Sequence, residues 1–268
     1  MDAETEGPLC QSKADIRRRE KMPKASTAEL TDSKRKRREG PRVPSRKPGV
    51  QRHNLLLDAT EALLQTGSPN DVGLYQIAER AGVPPGSVYH FFPTKEAAFV
   101  ALANRFTSRL MDLHRTPIEA RAINNWTDLY RIDTRRAMEF YNSSQPALKI
   151  FYGGFGGIEE REVDRLAAQT MAEHSYARMN RIFHMPYLSN PGAKFEVRLG
   201  ILDAIWTLST RKHGRITEDY YEESYSACVA YSRIYLPERI ERRQELIDAA
   251  DKRKAVVLPF DEETLQII

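Results

Sequence analysis

Ser87 and His90 are the side chains whose types and setting most readily do chemistry. A hydroxyl and an imidazole can each donate or accept a hydrogen bond, and Gly86 beside them permits the close approach of another molecule. This is the chemistry of recognition rather than of bond cleavage. Catalytic arrangements find little support elsewhere. The six histidines, His53, His90, His114, His174, His184 and His213, form no His-Glu-x-x-His or i, i+4 ligand pair, and no Gly-x-Ser-x-Gly elbow occurs. Carboxylate pairs such as Glu159-Glu160 read as solvated helix faces. Cys10 and Cys228 lie too far apart in sequence to frame a disulfide scaffold or a zinc site. No catalytic residue, metal site or cofactor is therefore expected.

The elements that would position Ser87 and His90 are short and helical. Leu56, Ala59, Thr60, Leu63 and Leu64 recur at the spacing of one buried helix face, and Gly67-Ser68-Pro69-Asn70 stops the pattern. A second helix of two turns spans Tyr75 to Ala81, with Ile77, Ala78 and Ala81 on one side and Gly82 available for a left-handed terminus. A third starts almost at once, over Gly86 to Phe91, with Pro85 tolerated in its first turn. Two short helices joined by a tight turn containing glycine, behind a longer one, form a helix-turn-helix unit. In such a unit the outward face of the last helix reads base edges in the major groove, which here is Gly86, Ser87 and His90. Val88, Phe91, Phe92 and Ile77 read as the small core that locks the three helices.

The run from Tyr75 to Glu96 resembles the N-terminal domain of the TetR/AcrR family of bacterial transcriptional regulators. The resemblance rests on Ile77-Ala78, Ala81-Gly82-Val83, Gly86, Tyr89, Phe92 and Lys95-Glu96, in the family's order and spacing, and covers roughly residues 52 to 105 by motif. It implies that Tyr89 and Lys95 touch phosphate oxygens, Lys95 from the start of the next helix. Two departures stand out. Pro84 and Pro85 replace the usual polar cap and basic residue, so a capping bond and a phosphate contact are lost. Val72-Gly73 replace the hydroxyl residues that often open the second helix, although glycine is an acceptable cap.

Charge is unevenly spread. Residues 1 to 53 hold 15 Lys/Arg against 8 Asp/Glu, a net of +7 within a chain of net +4, and lack aromatic residues altogether. Segment 1–51 is expected to be a basic arm, disordered when free, that either contacts DNA or is simply solvated. Arg46 and Lys47 at its end, and Arg52 just after it, join the DNA-contact set. The longest apolar runs, such as Ala97 to Ala103, fall far short of the roughly 20 residues that cross a bilayer, and the N-terminus does not read as a secretory signal. No membrane partner and a cytoplasmic location are expected.

Beyond Thr94 the sequence reads as helix after helix, and an all-α fold follows. Residues 52–98 form the helix-turn-helix domain, 99–240 a helical ligand-binding and dimerisation domain, and 241–268 a tail of uncertain structure. Ala98, Phe99, Leu102, Phe106, Leu110 and Leu113 make one stripe of a long helix. Thr116-Pro117-Ile118-Glu119 has the form of a capping box that starts another. Segment 195–210 is apolar on two opposite sides, Val197, Ile201, Ala204, Ile205 and Leu208 against Leu199, Leu202 and Trp206, so it needs two partners. The next helix carries Tyr220, Cys228, Tyr231 and Tyr235. By resemblance these two helices would pair with their symmetry mates in a homodimer. Also by resemblance, Trp126, Tyr130, Phe151, Tyr152, Phe155, Met179 and Phe183 would line a pocket for a small, apolar or aromatic effector. The function so implied is a homodimeric repressor released by that effector from double-stranded operator DNA. A DNA-binding protein without a small-molecule effector, or an all-α enzyme, are the other readings.

Overall fold

The computed structural model describes residues 41–153, 158–258 and 266–267, with side chains described at 41–153 and 168–258. The aromatic-free stretch 1–40, with Cys10 and the block Lys34 to Arg38, lies outside the described residues.

Helix α1 (Lys47–Thr66) buries Leu56, Leu57, Ala59, Thr60 and Leu64, close to the predicted stripe. It starts earlier than expected, so Lys47 stands in a helical first turn rather than in an unstructured arm. Neither Pro48 nor Gly49 stops it, since proline loses no hydrogen bond in a first turn. The apolar stripe that reveals the helix in sequence begins only where packing begins. Helix α2 (Leu74–Ala81) opens on Gly73 and ends at Gly82, whose φ of 66° is left-handed. An L side chain there would be strained by about 1–2 kcal/mol, which is why the turn takes glycine. Helix α3 (Pro85–Phe91) has Pro84 as its cap residue and no side-chain capping bond. In helix α4 (Lys95–His114), Thr94 Oγ1 accepts the Ala97 N–H at 3.1 Å. Ala98, Phe99, Leu102, Phe106 and Leu110 are buried as expected. The ion pairs of Arg105 with Asp58 and of Arg109 with Glu61 (2.7 Å) tie α4 to α1.

The expected helix start at Thr116 is corrected by the structure. Ile118–Glu119 is a short strand, β1, followed by a 3-10 turn at Ala120–Ala122. The capping box lies further on. Asp128 Oδ2 accepts the Asn125 N–H (2.9 Å), and helix α5 (Trp126–Ser143) begins there. The reason is long-range. β1 pairs antiparallel with β2 (Ala255–Val257), and β2 with β3 (Gln266–Ile267), Val256 facing Ile118 on one side and Ile267 on the other. Strands of two or three residues are too short to show alternation, so an otherwise all-α protein carries a small sheet invisible to periodicity. The tail thus has structure. Helix α10 (Gln244–Asp251) packs on the 3-10 turn and leads into β2.

Helix α6 (Gln145–Tyr152) and helix α7 (Ile158–Ile182) lie on either side of the glycine-rich stretch. Helix α8 (Pro191–His213) packs between α7 and helix α9 (Glu218–Ser232). It buries Phe195, Arg198, Leu202, Trp206 and Ser209 in one stripe. Trp206, 1% exposed, donates its indole N–H to Ser224 Oγ on α9 at 2.9 Å. The opposite apolar side of α8, which the sequence placed in contact with a second partner, is open in the single chain: Val197 and Leu208 are each 50% exposed.

Candidate nucleic-acid interface and ligand cavity

Helix α3 is locked from within. Val88 and Phe91, three residues apart, are buried against Phe92 and Ile77, so the pitch of the helix turns Gly86, Tyr89 and His90 to the outside. Ser87 is half-buried, with its N–H on Pro84 O at 2.8 Å. Tyr89 is 58% exposed. The ring of His90 meets the edge of Phe91 at 5.1 Å and is otherwise open. A Cβ at Gly86 would meet no atom of the chain within 4 Å, so internal packing does not demand a glycine at this exposed position. Lys95, in the first turn of α4, is half-buried and points its ammonium at Pro69 O, 3.5 Å away.

The segment before α1 reaches the same region. Arg42 donates its backbone N–H to Phe91 O at 3.0 Å, tying residues 41–46 to the C-terminal end of α3. Arg42, Arg46, Lys47 and Arg52 are all exposed. His53 belongs to the interior instead. Its ring lies 5.7 Å from Phe91 and 5.2 Å from Phe92, and burial and the nearby Arg105 lower its pKa.

A cavity of about 330 Å³ lies among α4, α5, α6, α7 and α8. Tyr130, Phe151 and Tyr152 stand on its wall. Three other predicted residues do not. Trp126, Met179 and Phe183 are fully buried in the core away from it, Trp126 with its indole N–H on Pro237 O at 3.1 Å. They are apolar enough to line a pocket, but their helix positions face the neighbouring helices. Phe155 lies outside the described residues. The wall also draws on two helices that the predicted set left out, α4 through Leu110 and α8 through Phe195, Leu199, Leu202 and Trp206.

Its charged residues lay outside the predicted set. Arg178, 1% exposed, is completely engaged: Nη2 and Nε donate to the two oxygens of Asp133 (2.8 and 3.3 Å), and Nη1 to His114 O and Leu258 O, both at 2.7 Å. Burial lowers the His114 pKa and so favours the neutral imidazole, against the opposing pull of Asp133. Tyr152 donates its hydroxyl to Asp203 Oδ1 at 3.1 Å, and burial raises the Tyr130 and Tyr152 phenols well above their ordinary pKa, so both stay protonated. Arg198, 4% exposed, donates from Nη2 to Ser175 Oγ at 2.6 Å and lies over the rings of Tyr130 (4.3 Å) and Phe195 (4.2 Å). Its Nη1 is buried and has no hydrogen-bond partner among the described residues. A sequence signal for Arg198 existed. It stands three residues after Phe195 and four before Leu202, a cation within the buried stripe of α8. Among the described residues no three His, Cys, Asp or Glu side chains come together as a metal site, and no helix is long and apolar enough to cross a membrane.

Comparison with known proteins agrees with the helix-turn-helix. Residues 56–102 match the profile of the bacterial regulatory proteins, tetR family. No curated protein sequence matches the chain. Solved structures share the fold. A TetR-family transcriptional regulator from Streptomyces coelicolor superposes with a TM-score of 0.50 at 20% identity, over 69% of this chain and 98% of that one. A TetR transcriptional regulator from Rhodococcus sp. RHA1 superposes at 0.51 and 17% identity, over 68% and 94%.

Proposed function

We propose that this chain, whose residues 56–102 form a TetR-family DNA-binding domain, is a homodimeric transcriptional repressor that a small ligand releases from its operator. The observation that carries the DNA reading is the outward face of α3, Gly86, Tyr89 and His90 with the half-buried Ser87 at its margin, held by the buried Val88 and Phe91. Ser87 and His90 would read base edges while Tyr89 and Lys95 hold phosphates, and Arg46, Lys47, Arg52 and the basic segment before them add sequence-independent attraction. Such a protein works beside the bacterial chromosome, in the cytoplasm.

The open side of α8 and the turn after α9 support a dimer. Val197 and Leu208 on α8, with Ile234 (68% exposed) and Tyr235 (39%) just after α9, leave an apolar surface that a single chain does not cover. Paired about a two-fold axis, the same surface on each chain covers the other. The two α3 helices would then enter successive major grooves of a palindrome, roughly 34 Å apart, and occupancy would block a promoter.

Helix α6 gives the cavity a mechanical route to the DNA-binding domain. Its Phe151 and Tyr152 line the cavity. Its Lys149 donates to Leu64 O (2.7 Å) and Gly67 O (3.0 Å), capping the C-terminal end of α1 with a cation. A ligand that binds one position of α6 better than another shifts α1 with it, and with α1 the separation of the α3 helices. The cavity favours this reading over a DNA-binding protein without an effector.

Substitutions divide the contacts. Lys95→Ala is expected to weaken binding to all duplexes alike, whereas Ser87→Ala and His90→Ala each cost about 1–3 kcal/mol on the preferred sequence and relax the preference at one position. Competition binding against single-base operator variants measures both. Equal losses on every variant for all three proteins would overturn the assignment.

A further inference from the structure

We infer that the cavity takes a small monocarboxylic acid as its anion, and that Arg198 is the group that binds the carboxylate. This deepens the effector reading above and rests on it. A guanidinium removed from water without a counter-ion is costly, by several kcal/mol before relaxation. Among the described residues Arg198 makes no ion pair. Stacking on Tyr130 and Phe195 and one bond to Ser175 compensate in part, and Nη1 remains unfilled.

The neighbouring charged groups on the wall are engaged elsewhere. Arg178, the other cation on the wall, is held by Asp133 and two carbonyls. Asp203 accepts from Tyr152. Among the described residues Arg198 is thus the wall guanidinium with no carboxylate in ion-pair contact, whereas Arg178 has Asp133. A buried guanidinium edge with an unused Nη1 calls for an anionic acceptor at that edge, and a planar fork of N–H donors matches a planar carboxylate better than a tetrahedral dianion. The rest of the wall, with Leu110, Phe151, Leu199, Leu202 and Trp206, is apolar and suits an aliphatic or aromatic body behind the carboxylate.

Calorimetric titration of the full-length protein, without DNA, tests this with 4-phenylbutyrate, decanoate and benzoate, each against its neutral primary amide. At least one acid is expected to bind roughly tenfold or more tightly than its amide. Arg198→Met should bind acid and amide alike, while its ligand-free form melts no lower than the parent protein because a buried charge has gone. Arg198→Lys, which keeps the charge but not the fork, should retain a smaller preference and serves if the methionine variant does not fold. Equal binding of acid and amide by the parent protein, no binding of any of the three acids, or an undiminished preference in either variant would overturn the inference. The same acid added to the protein on its DNA separates the two readings. Binding through Arg198 that leaves DNA affinity unchanged would sustain this site and remove the effector role.

Discussion

Arg178→Met is expected to lower the unfolding free energy by about 3–5 kcal/mol, a large share of the roughly 5–15 kcal/mol that holds a typical domain. The guanidinium joins four parts of the chain: α7, which carries it, Asp133 on α5, the last turn of α4 through His114 O, and the segment after β2 through Leu258 O. Methionine fills similar volume but leaves the Asp133 carboxylate, 15% exposed, without its partner. It also leaves two carbonyls short of a donor, and unsatisfied buried groups cost more than the net value of the bonds they lose. Urea unfolding measures the loss. The double substitution Arg178→Met with Asp133→Leu should recover most of it, because removing both charges is far cheaper than removing one. A single-variant loss under about 1 kcal/mol would show that the pair is not the clamp described.

Ala204→Arg is expected to leave the fold of each chain intact and yet lower operator affinity by about 10²–10⁴-fold. Ala204 is exposed on the open side of α8, in line with Val197, Ile201 and Leu208, so a long side chain meets no packed neighbour within its own chain. About a two-fold axis the substitution sets two cations against each other on an apolar surface. The dimer should dissociate, and with it the gain from engaging both half-sites at once. Sedimentation and a melting curve separate this from misfolding: a monomer with an unchanged melt is the expected result. A dimer with full operator affinity would place the interface elsewhere.

The helix-turn-helix was legible in sequence because its determinants are local. The stripe from Leu56 to Leu64, the left-handed Gly82 and the inward pair Val88 and Phe91 all act within a few turns of their own position. The family match covers this same region. The cavity was legible only in its aromatic character. Tyr130, Phe151 and Tyr152 stand on its wall, whereas Trp126, Met179 and Phe183, of the same chemical type, pack elsewhere. Residue type says that a side chain leaves water, not which neighbour it meets. Position 118 went wrong for a related reason: the Thr-Pro-Ile-Glu string is a sound local start signal, overridden by pairing with Val256 near the other end of the chain. Arg178 and Arg198 escaped notice because a cation inside an apolar stripe reads as an interruption until its surroundings are known.

The central claim, that α3 of a paired chain reads a particular DNA sequence, is tested most directly by fluorescence-anisotropy binding to duplexes tiling the region upstream of the protein's own gene. The titration is run at two salt concentrations with random duplex as competitor. Tight binding to one tile, at two chains or a multiple of two per site and persisting at the higher salt, is the expected result. Salt-sensitive binding to every tile alike would contradict it, and would leave only the basic N-terminal segment attracting phosphate.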